Sequence, residues 1–415
     1  MRFILKLILS ISLFLLIASY GLPLFFDLLI VLFIIFIIRF NFFNLIFLNV
    51  LLFVVTLLMN IILIKDEENL GIFYRAHERF SIDRGIYKKN ISSEMLMKHG
   101  DIVALDVCNN EKIQGEQRIQ KFITDENGFR NNRAKIDDAE IILVGDSFIA
   151  GSSNTQENTP ANILGELSKK DIYSITVISE PKDYEFHLMD HIDKLSPDAK
   201  ILLFYFAGND FKYEFEKLDD SIIFKGIKIP YFKYKIRSGY ERLERNKDKI
   251  FINTLYSLYD KNFFYQRIRP KSQRFFKKTL SQWTKTCPVK YYKINGVKVG
   301  FYYLPIKNYS KVSTHIINDR KILNRIKKVY YIPTKYSVYN EFINNEDLKS
   351  DDFNYLKREY QLNNIEVVNL TKILKEEAKK NLKINKFIYW KDDSHWNKIG
   401  INVVMKNILK TDLIN

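Results

Sequence analysis

Hydrophobic and polar positions divide the chain into two regimes. Up to residue 65 the sequence is almost continuously apolar. The stretches 3–20 (FILKLILSISLFLLIASY), 22–38 (LPLFFDLLIVLFIIFII) and 45–64 (LIFLNVLLFVVTLLMNIILI) are broken only by Gly21 and Pro23 and then by Arg39, Asn41 and Asn44. Each has about the length needed to cross a bilayer, so the pattern predicts about three transmembrane helices within residues 1–65. A cleaved leader would account for the first stretch alone, and no small-residue cleavage site follows it. Arg2, Lys6 and Arg39 stand at ends that the positive-inside rule assigns to the cytoplasm, whereas Asp66, Glu67 and Glu68 follow the third stretch. The rest of the chain is then expected outside the cytoplasm. Asp27 reads as a helix-end residue rather than a functional buried acid.

Beyond residue 65 the pattern changes twice. Residues 66–140 are polar and mixed and end in KFITDENGFRNNR, whose Asn127-Gly128 is a tight-turn signal. They read as a connecting segment with a small β-element in front of the main domain. From 141 onward, short apolar runs recur at 141–145 (IILVG), 173–179 (YSITVIS), 200–207 (KILLFYFA), 328–333 (KVYYIP) and 364–369 (NIEVVN). Runs buried on both faces are what parallel strands require. Helical segments are expected between them at 160–170 and 353–362, with a last helix at 399–410. Strand alternating with helix predicts an α/β domain over 141–415, doubly wound around a parallel sheet of about five strands.

Residues 211–327 interrupt that rhythm as an insertion rich in Phe, Tyr, Lys and Arg. Within it, VKYYKINGVKVGFYYLP places Asn295-Gly296 between two alternating runs, a hairpin signal. An insertion of this kind is expected near strand ends, as a lid, a glycan platform with stacking aromatics, a membrane-facing or partner surface, or a plain subdomain burying its own aromatics.

Composition changes the picture little. The formal net charge of +16 invites a nucleic-acid reading, but the basic residues are spread without a compact Arg-rich block or a reader motif, so no nucleic-acid partner is expected. Cys108 and Cys287 are the two cysteines of the chain and make neither a disulfide framework nor a zinc-ligand spacing. His187 and His191 stand four apart without carboxylate or Cys support, and read as one face of an ordinary helix. No metal or organic cofactor is expected.

Three blocks carry candidate chemistry. IILVGDSFIAGSSN puts Ser147 at the end of the first strand of the α/β pattern. A serine is inert until a base takes its proton, and the tetrahedral intermediate then needs donors aimed at its oxyanion. FYFAGND puts Asn209 at the end of the third strand, on the same sheet edge, where its amide is a candidate donor beside the Ser147 backbone N–H. YWKDDSHWNKIG puts His395 behind two acids, Asp392 and Asp393, either of which can fix its tautomer.

Taken in order, Gly-Asp-Ser-Phe, Gly-Asn-Asp and Asp-x-x-His-Trp resemble the SGNH (GDSL-type) hydrolase superfamily over roughly residues 120–410, apart from the insertion. DENGFRNN and YIPTKYSVY are similar to membrane-anchored bacterial members. The resemblance implies a flavodoxin-like three-layer α/β/α domain, with Ser147 as nucleophile, Asn209 as oxyanion donor, His395 as general base and Asp392 as orienting acid. Asp393 is the alternative acid, because Asp-x-His-Trp is the spacing of alginate-type O-acetyltransferases, which this chain also resembles in GDSF and SHW. The family usually offers a Gly amide after its second strand. Here the region is VISEPKDYEF, where Pro181 has no N–H, so the Ser179, Glu180 or Lys182 backbone would have to supply that donor. The implied activity is that of a bacterial inner-membrane esterase or O-acyltransferase, its catalytic domain on the periplasmic side. Its substrate would be an acylated glycan or lipid-linked saccharide, with envelope-biosynthesis partners. A non-catalytic binding or assembly component of an envelope polysaccharide pathway is the alternative.

Overall fold

The computed structural model describes residues 76, 80–106, 113–214, 221–224, 227–230, 289–302, 310–343 and 351–413. The chain divides into two compact units. Residues 1–72 and 217–286 form one, described at a short antiparallel hairpin of β7 (Ser221–Phe224) and β8 (Ile227–Pro230). The three apolar N-terminal stretches, His77, Cys108 and Cys287 lie outside the described residues. Among the described residues, no helix is long and apolar enough to cross a membrane.

The other unit, 73–216 with 287–415, is an α/β fold. Its centre is a five-stranded sheet of β3 (Ile141–Gly145), β4 (Ile172–Thr176), β5 (Lys200–Phe206), β12 (Ile326–Ile332) and β13 (Val367–Asn369), every neighbouring pair parallel. In chain order the strands lie 2-1-3-4-5 across the sheet. The winding therefore reverses between β3 and β5, the kind of switch point where open α/β sheets bind ligands.

The apolar runs form this sheet because both faces are covered. Along β3 and β5, Ile141, Leu143, Leu202, Phe204 and Phe206 point into one core. That core is shared with α2 (Pro160–Ser168), α7 (Thr371–Leu382) and α8 (Lys398–Ile408). Ile142, Val144, Ile201, Leu203 and Tyr205 point into the other, with α3 (Pro181–His191) and α6 (Asp352–Gln361). The period-two alternation of a strand thus sends successive apolar side chains into two separate helical layers. Helix starts follow local chemistry. Thr159 caps α2 with Pro160 in its first turn, and the Asn397 side chain accepts from Ile399 and Gly400 N–H at the start of α8.

Strands and helices thus fall within a few residues of the sequence pattern, and two boundaries are redrawn. The upstream segment belongs to the α/β unit, with β1 (Ser92–Met97) and β2 (Arg118–Ile123) pairing antiparallel. Asn127-Gly128 does not join them; it follows β2, with Gly128 at φ 87° and its carbonyl accepting from Tyr87 N–H. The insertion is also shorter than 211–327. The hairpin of β9 (Lys290–Ile294) and β10 (Val297–Phe301) turns at Asn295-Gly296, both at positive φ, and buries Ile294, Val299 and Phe301 in the α/β core. β6 (Lys212–Glu214) pairs with β11 (Lys311–Ser313), so the two flanks of the insertion close on each other.

Candidate active site

Ser147 stands on the turn that leaves β3. The Asp146 carbonyl accepts from Ile149 and Ala150 N–H, and the Ser147 carbonyl from Ser152 N–H, which coils residues 146–152 tightly over the sheet edge. The Asp146 carboxylate accepts from Phe148 N–H at 2.8 Å, the local bond an Asp makes two residues on. Burial pushes the Asp146 carboxyl up to about 6, with the Phe148 N–H and His395 working against that shift. Burial likewise raises the Asp210 carboxyl well above its ordinary value, and the charge of Asp146 adds to the effect. Tyr184 Oη lies 3.1 Å from both Asp210 oxygens.

His395 arrives from the opposite end of the chain. Residues 389–396 fold back on themselves through a Tyr389–Trp396 bridge just before α8. This places His395 Nε2 2.7 Å from Ser147 Oγ, with the imidazole packed on the Phe148 ring at 4.9 Å. On the other side Nδ1 meets Asp393 Oδ1 at 2.6 Å, and the same oxygen accepts the His395 backbone N–H at 3.0 Å. An ionised carboxylate only accepts, so the proton of the neutral ring belongs on Nδ1 and the Nε2 lone pair faces the serine hydroxyl.

The acid beside the imidazole is therefore Asp393, which corrects the expected preference for Asp392. Asp392 turns the other way, with Oδ2 accepting from Gly100 N–H at 2.7 Å and Glu116 N–H at 2.8 Å, and Oδ1 pairing with Arg118 at 3.1 Å. The reason is local. A carboxylate two residues before the histidine reaches both its backbone N–H and its ring, and a carboxylate three residues before faces the upstream segment.

That segment supplies partners which the sequence motifs do not contain. Gly100 lies so close that a Cβ there would sit 2.5 Å from the Asp392 carbonyl oxygen and from Asp393 Cβ. After it, α1 (Asp101–Leu105) begins, and the Asp101 N–H donates to Asp393 Oδ2 at 2.9 Å. The Asp101 carboxylate accepts from Ser394 N–H at 2.7 Å and lies 3.5 Å from His395 Nδ1. Ser153 Oγ donates to Asp393 Oδ2 at 2.6 Å, and Arg118 reaches the same oxygen at 3.3 Å. Asp101, Asp393 and His395 bring one ligand atom each within 4.8 Å of one another. Those atoms are engaged with one another, and with Ser153 and Ser394, as a hydrogen-bonded network.

Two buried cations hold the loops. Arg130 spends its N–H groups on the Ala150, Gly151, Asn154 and Lys121 carbonyls and on Gln156 Oε1, all at 2.8–3.1 Å. Burial lowers it to about 10. Lys335, at the start of α5 (Lys335–Tyr339), donates to the Gly300, Trp390, Lys391 and Asp393 carbonyls. Burial lowers it to about 8, with Asp392 and Asp393 the leading opposing charges. Neither cation was singled out from the motifs. A cation in the first turn of a helix opposes the helix dipole, and Lys335 directly after the Thr334 cap carried that signal.

The candidate oxyanion donors line the same edge. Asn209 lies in the turn after β5, exposed, and makes no hydrogen bond to a described residue; the Ser147 N–H likewise meets no acceptor among them. After β4, Val177 N–H is taken by Gly145 and Ile178 N–H by Gly85. Pro181 opens α3 with Glu180 at its cap position, so Lys182 N–H belongs to the first helical turn, which lacks intrahelical acceptors. The Glu180 side chain is held by Lys212 at 3.0 Å and Lys182 at 3.5 Å. His187 and His191 sit on α3, edge-on to Phe129.

No known protein-family model matches the chain, and neither a curated protein nor a solved structure matches it.

Proposed function

We propose that this protein is an SGNH-type serine esterase or O-acyltransferase that works through an acyl-serine intermediate. The observation that carries the reading is the unbroken chain Ser147 Oγ, His395 Nε2, His395 Nδ1, Asp393 Oδ1, with links of 2.7 and 2.6 Å, at the switch point of a parallel sheet. The 2-1-3-4-5 strand order supports a flavodoxin-like SGNH domain.

In this reading His395 Nε2 takes the hydroxyl proton as Ser147 Oγ attacks an ester carbonyl carbon. The new oxyanion is held by the Ser147 N–H and the Asn209 amide, and Asp393 stabilises the imidazolium. Collapse of the tetrahedral intermediate breaks the ester C–O bond, and the imidazolium returns its proton to the leaving alkoxide. Water or a sugar hydroxyl then gives its proton to His395 and attacks the acyl carbon; the acyl C–Oγ bond breaks and the imidazolium returns the proton to Ser147 Oγ. The substrate class is an ester-linked acyl group on a glycan or lipid-linked saccharide. The three N-terminal apolar stretches anchor the protein in the bacterial inner membrane, with the α/β unit on the periplasmic side and envelope-biosynthesis proteins as partners. The missing Gly of the second block is what favours the alternative, a non-catalytic envelope component.

The test is fluorophosphonate labelling of the full-length chain and of Ser147→Ala, alongside hydrolysis of 4-nitrophenyl acetate. Ser147-dependent labelling and turnover are expected. If neither occurs, the enzyme reading is wrong and the binding component takes its place. Acetylated glycans as donors, with and without an acceptor sugar, then separate hydrolysis from transfer.

A further inference from the structure

The acid–base pair of the proposed mechanism does not stand alone. Arg118, on β2, forks across two adjacent carboxylates, with Nη1 3.1 Å from Asp392 Oδ1 and Nη2 3.3 Å from Asp393 Oδ2. Its Nε donates to the Ser153 carbonyl at 3.1 Å, Nη1 also donates to the Glu116 carbonyl, and its Cζ lies 4.3 Å from the centre of the Trp390 ring. The guanidinium side chain is 7 % exposed and both carboxylate side chains are fully buried, so water does little to screen the three charges. We propose that Arg118 and Asp392 form a charge brace for the acid–base pair: Arg118 positions Asp393 against His395 and tempers the negative field there, while Asp392 offsets Arg118. The inference rests on the reading of Ser147 and His395 as nucleophile and base.

The charges around the imidazole make such a brace necessary. His395 faces Asp393 and Asp101 at Nδ1 and Asp146 from the end of β3, with Asp392 and Glu116 behind them. Glu116 is paired with Lys391 at 3.2 Å. Against the remaining carboxylates stand Arg118 and the Lys335 ammonium. Without Arg118 the negative field would hold the imidazolium too firmly and keep the base protonated. Without Asp392 the guanidinium would face Asp393 alone and weaken its support of the imidazolium. Burial pushes the Asp392 carboxyl above its ordinary value, and Arg118 is the main group acting against that shift. Arginine suits this position because one planar fork reaches both acids, whereas a lysine ammonium is a point charge.

The test is the second-order rate of fluorophosphonate labelling at Ser147 against pH, in the full-length chain. In this step Ser147 Oγ bonds phosphorus, fluoride leaves and His395 takes the hydroxyl proton. Removing a unit charge one carboxylate away from the imidazole moves the acid limb by about one pH unit, tenfold in rate below the limb. Arg118→Gln moves it up, Asp392→Asn moves it down, and the double variant lies closer to wild type than either single variant, because the two charges removed have opposite sign and their effects on the ring oppose each other. Arg118→Lys lowers the plateau rate but leaves the limb in place; with Asp392→Asn it carries the test if Arg118→Gln fails to fold. Shifts in the same direction, or pH-independent losses in both single variants, overturn the brace while leaving the enzyme reading intact. Absence of Ser147-dependent labelling in wild type overturns both.

Discussion

Replacing Asp393 by Asn distinguishes the two adjacent acids most sharply, and its effect follows from the donors around the carboxylate. Oδ1 accepts from His395 N–H at 3.0 Å and faces Nδ1 at 2.6 Å, while Oδ2 accepts from Asp101 N–H, Ser153 Oγ and Arg118. An Asn side chain must set its NH2 against one of these groups. On the Oδ2 side it would meet the Asp101 N–H and the Arg118 guanidinium, neither of which can become an acceptor. On the Oδ1 side it meets one fixed donor, the His395 N–H, and an imidazole that can change tautomer. The NH2 therefore takes the Oδ1 position, Nδ1 becomes the acceptor, and the ring proton moves to Nε2, facing Ser147. A base already protonated on that nitrogen cannot take the serine proton, and the known cost of this wrong-tautomer substitution in serine hydrolysis is about 10⁴ in kcat. One buried donor left unpaired also costs about 1–3 kcal/mol of stability. Asp392→Asn faces no ring nitrogen and should retain a plateau rate within about tenfold of wild type, the range left to indirect positioning effects. The assay is kcat/KM for 4-nitrophenyl acetate at pH 8, with circular dichroism to confirm folding. The tautomer argument is refuted if folded Asp393→Asn stays within tenfold of wild type, or if Asp392→Asn is equally damaging.

Three further outcomes are expected. Asn209→Ala should lower kcat by about 10² to 10³, the usual loss for one oxyanion donor, with little change in Tm because the side chain makes no hydrogen bond to a described residue; a fall in Tm with unchanged kcat would place Asn209 outside the oxyanion hole. Arg130→Met should destabilise the fold by about 3–5 kcal/mol, since it strips donors from buried carbonyls around the Ser147 loop, and thermal unfolding reads this directly. For Asp146 the folded-state value is raised to about 6, so the native protein binds the extra proton between the unfolded value and that pH. Stability from this group is present at low pH and lost as pH rises through about 6, worth up to about 3 kcal/mol. The stability of Asp146→Asn relative to wild type should therefore improve between pH 4 and 7; a difference independent of pH would contradict the assignment.

The sequence was readable wherever the determining pattern is local. β3, β4, β5 and β12 announce themselves because burial on both faces demands largely apolar runs, with Ser174, Thr176, Lys327 and Lys328 among the polar exceptions. Ser147 and Asn209 follow strand ends and His395 precedes the start of α8, places recognisable by turn and cap residues. The choice of acid was read as Asp392, and the structure puts Asp393 there, although a local signal for Asp393 was present. An Asp side chain favours the backbone N–H two residues on, which selects Asp393 for the histidine at 395 and leaves Asp392 to face elsewhere. Arg118, Arg130, Gly100 and Asp101 were not legible, because their partners lie far along the chain or are backbone groups that carry no side-chain signature. A buried Arg satisfied by carbonyls looks, in sequence, like any surface Arg beside a turn. The hairpin at Asn295-Gly296 was evident, but its membership of the core was not, since Ile294, Val299 and Phe301 alternate as they would in a detached subdomain.

These distant partners make the segment before residue 141 part of the site. Asp392 draws two backbone N–H groups and the Arg118 guanidinium from it, Asp393 draws the Asp101 N–H and the same guanidinium, and the Ser147 loop draws Arg130. A fragment beginning at residue 141 would keep the Ser147, Asn209 and His395 motifs, yet strip the buried Asp392 of the Gly100, Glu116 and Arg118 donors, Asp393 of the Asp101 and Arg118 donors, and several loop carbonyls of Arg130. At about 1–3 kcal/mol for each group left unsatisfied, the sum is on the order of 10 kcal/mol, comparable with the whole stability of an ordinary domain. The fragment should therefore fail to unfold cooperatively on heating and should not label at Ser147 with a fluorophosphonate. A fragment beginning at residue 73 keeps the donors and should do both. Cooperative unfolding of the shorter fragment within a few degrees of the longer one would show that the upstream segment merely covers the site, and the donor accounting would have to be abandoned.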